Sequence, residues 1–144
     1  LVFEDIDEQS LSTDYFSFKF NVPGAEAQSV HLVDDAVFGG FSTTEGGSGG
    51  CYMALLVDNS NINGNYDSSF AHGYSVKSID SNGDLIALAT GYDGVQIYQR
   101  FSGSSTITPF LSINSSYAYD VKIKNDFVFI ATKSGLEIYK IGEY

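Results

Sequence analysis

Residues 118–141 read AYDVKIKNDFVFIATKSGLEIYKI, and this stretch predicts three short β-strands joined by tight turns. Over residues 121–124, apolar and lysine side chains alternate, which is the pattern of a strand with one face in water. The apolar run Phe127–Ala131 predicts a second strand, buried on both faces, and Leu136–Ile141 predicts a third. Asn-Asp and Lys-Ser-Gly supply turn residues between the strands.

The same pattern occurs twice further upstream. Val76-Lys77 corresponds to Val121-Lys122. The later strands of this unit, within residues 85–98, correspond to residues 127–139 and precede them by 41 to 42 residues. In an earlier unit, Val30–Phe38 aligns with residues 121–129 without a gap. A period of about 40–45 residues with several strands per unit is typical of β-propeller blades. The sequence therefore predicts an all-β fold, a β-propeller with three four-stranded blades of an incomplete ring.

The repeats divide the chain into four segments. Residues 1–26 are an acidic lead-in that ends with Tyr15–Asn21, which we expect to be the outer strand of a preceding blade. Residues 27–70, 71–114 and 115–144 are the three blades, and the last of them lacks its outer strand. Three blades leave an apolar face bare at each end, so the expected partners include further blades from the same chain or from a second copy.

The composition limits the cellular locations and the binding partners that we expect. The 144 residues include 18 acidic and 7 basic side chains, and the net charge of -11 argues against binding the nucleic acid backbone. No apolar run reaches the roughly 18 residues that a membrane-spanning helix needs. The chain begins at Leu1 without a leader segment, which predicts a processed or truncated product. Abundant Asn, Ser, Gly and Tyr with few lysines are common in secreted and cell-surface β-proteins, so we expect an extracytoplasmic location.

One loop imitates a calcium site. Its oxygen-bearing side chains stand at alternate positions around a glycine, as in calcium loops: Asn59, Asn61, Asn63, Asn65 and Asp67. Only Asp67 is charged, and Phe70 stands where such a loop has a bidentate Glu. We therefore expect an Asn/Gly turn that bonds to its own backbone, and neither a tightly held metal nor another cofactor.

The third strands of two units carry a family resemblance: Gly135, Leu136, Ile138 and Tyr139 in one, and Gly94, Val95, Ile97 and Tyr98 in the other. They resemble the bacterial surface propeller repeats named for a Leu-Val-Ile-Val-Asp (LVIVD) signature. Leu55–Asp58 is similar to that signature, although the first unit lacks the Gly-Leu start. The resemblance covers roughly residues 27–141. It implies a propeller in a surface or secreted protein, often of Bacteroidetes type, and implies no activity or catalytic residue.

The sequence does not predict an enzyme. His31 and His72 are its only histidines, and nothing in the sequence places a Ser or an Asp beside either of them. Cys51 lies in an apolar strand, which indicates a buried thiol.

Two functions remain open. One is a non-catalytic module for protein–protein interaction, for example an accessory subunit of a surface complex. The other is a glycan-binding propeller, in which exposed tyrosines stack on sugar rings. The candidate binding residues lie in or beside turns: Tyr66, Tyr74, Tyr92 and Tyr117. A glycan array with these four tyrosines replaced discriminates between the two functions.

Overall fold

The computed structural model describes residues 22–43, 49–56 and 66–142. Within these ranges, eleven β-strands form three antiparallel sheets, and no helix occurs. The prediction of an all-β fold is confirmed for these residues. It follows that the described part of the chain has no helix that could cross a membrane. The predicted strand Tyr15–Asn21 and the loop residues Asn59–Asn65 lie outside the described residues.

Each sheet is built from strands that are consecutive in sequence. Sheet 1 contains β1 (Ala25–Val33), β2 (Ala36–Thr43), β3 (Gly50–Leu55) and β4 (Ser68–Phe70). Sheet 2 contains β5 (Ser78–Ser81), β6 (Leu85–Ala89), β7 (Val95–Gln99) and β8 (Thr108–Ile113). Sheet 3 contains β9 (Ala118–Lys124), β10 (Phe127–Thr132) and β11 (Gly135–Lys140). The first strands of the sheets are neighbours in space, since β1 contacts β5 and β5 contacts β9.

The turns fix the register of the repeats. Asn125 adopts a positive φ of 55° in the turn between β9 and β10. In sheet 3, Val121 pairs with Ile130, and in sheet 2 Ile79 pairs with Leu88. Ile79 is therefore the equivalent of Val121, and the alignment of Val76 with Val121 is wrong. The strand register depends on how far each residue lies from the hairpin turn, whereas the alignment of Val76 with Val121 matched residues by type.

Sheet 2 is buried on both faces. Ile86 and Leu88 pack into a cluster shared with sheet 1, whereas Leu85, Ala87 and Ala89 pack into a cluster shared with sheet 3. Every residue of β6 is buried, as expected for a strand without alternation.

Sheet 3 is buried on one face only, so the prediction that Phe127–Ala131 is buried on both faces is wrong. Val128 and Ile130 are 0% exposed, but Phe127 is 40% exposed and Ala131 is also exposed. The reason is that no further sheet covers the far side of sheet 3 in the described part of the chain. The apolar composition of β10 is that of a strand in the middle of a stack.

An ion pair joins sheets 1 and 2. The Arg100 guanidinium donates two hydrogen bonds to the Asp35 carboxylate, at 3.1 and 2.7 Å, and a third to the Ser104 carbonyl. The Gly103 N–H also donates to Asp35. The Arg100 side chain is only 4% exposed and lies over the Phe38 ring. Asp35 lies in the turn between β1 and β2, yet its partners Arg100 and Gly103 lie between β7 and β8 of sheet 2.

Candidate binding site

Two of the four candidate tyrosines meet between sheets 2 and 3. Gly91, in the loop between β6 and β7, exchanges backbone hydrogen bonds of 3.1 and 2.9 Å with Ala118 at the start of β9. This bridge brings Tyr92 beside Tyr117, and their rings pack edge to face with centroids 4.6 Å apart. Tyr119 extends the group, because its ring lies 4.8 Å from that of Tyr117.

Gly91 is required for this arrangement. Its φ is 68°, and a Cβ added there would lie 3.1–3.3 Å from the Tyr117 ring. A side chain at this position would therefore push the ring away from the loop. The absence of a side chain lets Tyr117 lie directly against the backbone.

A lysine completes the cluster. Lys133, in the turn between β10 and β11, lies 3.2 Å through its Nζ from the Tyr92 hydroxyl, to which it donates a hydrogen bond. The same ammonium stands 5.0 Å from the centre of the Tyr92 ring and 5.3 Å from that of Tyr117, within cation–π range. The hydrogen bond to Tyr92 raises the pKa of Lys133, so the ammonium stays charged. We call Tyr92, Tyr117, Tyr119 and Lys133 the tyrosine–lysine cluster.

An open cleft of about 210 Å³ adjoins this cluster. Its walls carry aromatic rings, hydroxyl groups and one side chain of each charge: Tyr92 and Tyr117; Thr43, Ser75 and Thr90; Lys77 and Asp93. Thr43 and Ser75 hydrogen-bond to each other through their hydroxyl groups at 2.9 Å. The site can therefore offer stacking surfaces together with hydrogen-bond donors and acceptors.

The other two candidate tyrosines lie elsewhere. Tyr74 is half-buried against the core between sheets 1 and 2. Tyr66 is 43% exposed and packs edge to face on Tyr52, with ring centroids 4.8 Å apart. Sequence reasoning missed Tyr119 and Lys133. Tyr119 could have been found, because it stands two residues after Tyr117 and thus on the same face of the chain.

The calcium-like loop is described only at its end. Asn59, Asn61, Asn63 and Asn65 lie outside the described residues. The Asp67 carboxylate accepts a hydrogen bond of 2.7 Å from the Leu55 N–H. Within the described ranges, no group of three or more His, Cys, Asp or Glu side chains could hold a metal ion.

His31 has neighbours that the sequence did not predict. Its Nε2 lies 2.9 Å from the Ser81 hydroxyl and 4.0 Å from an Asp80 carboxylate oxygen. A catalytic triad needs the serine and the carboxylate on opposite ring nitrogens, whereas both contacts here use Nε2. Cys51 is fully buried, and burial raises the pKa of its thiol far above the usual range. Neither residue has the geometry of an activated nucleophile or its base.

Comparison with solved structures identifies the architecture. The WD40 repeats of RRP9 superpose with a TM-score of 0.62 and 13% identity, over 87% of this chain and 39% of that one. WD40 repeats form β-propellers with four-stranded blades. The chain has the fold of three β-propeller blades. The computationally designed Ika4 protein is also similar, with a TM-score of 0.58 and 13% identity, over 81% of this chain and 67% of that one.

The propeller prediction is thus confirmed at the level of the fold, and sheets 1, 2 and 3 are blades 1, 2 and 3. The chain spans well under half of the RRP9 structure. No protein-family model matches this sequence, and a search of curated proteins found no match either.

Proposed function

We propose that this chain is a non-catalytic interaction module that binds a protein partner at the tyrosine–lysine cluster and the adjoining cleft. The observation that carries this proposal is that the Tyr92 side chain is both exposed and held in a fixed position. Tyr92 is 78% exposed, yet Tyr117 and Lys133 hold its ring in place. A fixed, exposed aromatic ring loses little conformational entropy on binding, and aromatic residues are enriched at the centres of protein interfaces.

A displayed library of random peptides tests this proposal. The folded chain should select peptides with a shared motif, and Tyr92→Ala combined with Tyr117→Ala should weaken their binding about tenfold or more. Tyr66→Ala is the matched control, because it removes a half-exposed tyrosine outside the cleft. If the selected peptides bind equally well to the Tyr92→Ala/Tyr117→Ala variant and to the Tyr66→Ala control, the proposal is contradicted.

Glycan binding is a second candidate function, favoured by the lining of the cleft. Thr43, Ser75 and Thr90 line the cleft of about 210 Å³ together with Tyr92. Hydroxyl groups and an aromatic platform are what a sugar needs for hydrogen bonds and stacking. A glycan-array signal that Tyr92→Ala abolishes, together with no selected peptide, would assign the cleft to carbohydrate.

We also propose that the chain works outside the cytoplasm, on the cell surface or as a secreted protein. The support is its composition and the resemblance of Gly94–Tyr98 and Gly135–Tyr139 to the LVIVD repeats of bacterial surface propellers. Protease treatment of intact source cells should degrade the protein while sparing a cytoplasmic marker. Survival of the protein in intact cells, with digestion only after lysis, would contradict this location.

Further blades complete the native molecule in this proposal, supplied by the same chain or by a second copy. The support is that blade 3 buries only one of its faces. Closed propellers use roughly four to eight blades, each of which is covered on both faces.

A further inference from the structure

The open face of blade 3 repeats a face that is buried in blade 2. Phe127, Leu136 and Ile138 are 40%, 68% and 55% exposed. Their equivalents by strand register are Leu85, Val95 and Ile97, which are 4%, 0% and 1% exposed because blade 3 covers them. The open face of blade 3 therefore has the residues of a face that receives a neighbouring blade.

Blade 1 shows the complementary case at the other end of the chain. Val30 and Leu32 in β1 are 73% and 67% exposed. Their equivalents in blade 3, Val121 and Ile123, are 1% and 5% exposed because they pack against blade 2. Blades 1 and 3 thus carry the two kinds of face that pack together between blades 2 and 3.

The polar contacts between blades 2 and 3 indicate, in the same way, which polar residues would meet if blade 3 packed against blade 1. The Asn82 side-chain amide donates a hydrogen bond to the main-chain carbonyl of Asn125. The equivalent of Asn82 is Lys124, on the open face of blade 3, and the equivalent of Asn125 is Asp34, exposed in the first turn of blade 1. At the junction of two copies, Lys124 can donate to the main-chain carbonyl of Asp34 in the same way, and the Asp34 carboxylate in this turn adds an opposite charge.

We infer that the open face of blade 3 binds blade 1 of a second copy of this chain, with Lys124 of one copy facing Asp34 of the other. This inference rests on the proposed need for further blades. Two copies of these three blades, packed face to face at two junctions, make a closed, two-fold symmetric ring of six blades, within the known range. Closure uses both open faces of each copy, so the assembly stops at the dimer.

One contact is not transferred. Between blades 2 and 3, the Asp80 carboxylate accepts a 2.8 Å hydrogen bond from the Ile123 N–H. The equivalent of Asp80 in blade 3 is Lys122, which has no acceptor. Lys122, Lys124 and Lys140 instead gather three of the chain's seven basic residues on one face of a protein with net charge -11. That concentration of positive charge favours an acidic partner, and the rest of this chain is acidic.

Light scattering coupled to size exclusion tests the inference on the full 144-residue chain. The expected mass is twice 15.6 kDa, about 31 kDa. Lys124→Glu alone and Asp34→Lys alone should each weaken dimerisation about tenfold, because each places like charges together at both junctions of the ring. The double variant restores opposite charges and should recover the wild-type dimer.

Lys133→Glu is the matched control, since it changes the same charge on blade 3 but in the turn that contacts Tyr92 of blade 2. It should leave the dimer unchanged while disturbing the cleft, so a failure of the binding proposal is distinguished from a failure of this one. A monomer, a polydisperse series of polymers, or a double variant that fails to recover the dimer would each overturn the inference. Circular dichroism spectra of the variants show whether any loss reflects misfolding.

Discussion

At the scale of single residues, Arg100 is the side chain whose loss we expect to cost the most. Arg100→Ala removes two donors from Asp35 and one from the Ser104 carbonyl, and it leaves a partly buried carboxylate without its cation. We expect the free energy of unfolding in urea to fall by about 2–3 kcal/mol, somewhat below the cost for a fully buried pair because the Asp35 side chain is 28% exposed.

Lys140→Ala is the control for Arg100→Ala. Lys140 and Asp126 form a 3.9 Å ion pair whose side chains are 65% and 51% exposed. Surface pairs of this kind contribute little, so at concentrations too low for association we expect a change below about 0.5 kcal/mol. Equal losses for the two substitutions would contradict the role given to the Arg100–Asp35 pair.

His31 should make stability depend on pH. Burial lowers the pKa of His31 from 6.5; the Asp80 carboxylate opposes this shift and Lys122 adds to it. The folded state therefore takes up the proton less readily than the unfolded state, so stability is full above pH 6.5 and falls as pH drops below it. His31→Gln should flatten this dependence in urea titrations between roughly pH 7 and pH 5. His72→Gln should leave it in place, and a flat profile in the wild type would contradict the prediction.

At the scale of elements, local patterns predicted strands and turns, but contacts between blades were beyond them. The alternation over residues 121–124 and the turn at Asn125-Asp126 appear in the structure as expected. Alternation and turn chemistry act within about ten residues, so one sequence is enough to show them. The tyrosine–lysine cluster joins residues 92, 117 and 133, and Asp35 meets Arg100. Such pairs depend on how one blade packs against the next, which no local pattern encodes.

Gly94 tests the closure of blade 2. Its φ is 76°, and a Cβ added there would come within 2.2 Å of the Ile113 carbonyl oxygen in β8. Gly94→Ala should therefore cost about 2–4 kcal/mol in unfolding free energy, since β8 must shift in addition to the backbone strain.

Gly103→Ala is the control for Gly94→Ala. Gly103 has a similar φ of 81°, but nothing lies within 4 Å of an added Cβ. The expected cost is only the roughly 1–2 kcal/mol of the left-handed conformation. A Gly94→Ala variant as stable as the Gly103→Ala variant would show that β8 does not pack against this turn.

At the scale of the whole molecule, coverage by neighbouring blades should decide which amides exchange slowly. β6 and β10 are both paired on two sides, but β6 is buried throughout and β10 is covered on one face. At concentrations too low for association, β6 amides should exchange at least about tenfold more slowly in hydrogen–deuterium exchange. Equal rates in the two strands would mean that the open face of blade 3 is covered within a single chain.

The chain-like order of the blades also bears on how the protein folds. The main contacts between blades join β1 to β5 and β5, together with β6, to β9, so each blade interacts with its sequence neighbours. Stability in such an array is a sum of the units and their junctions, and folding can nucleate in one unit and spread. Blade 2 is the unit with a junction on either side, so we expect folding that begins there to spread in both directions. Ribosomal synthesis, which releases blade 1 first, would present the junctions in a different order from refolding of the complete chain.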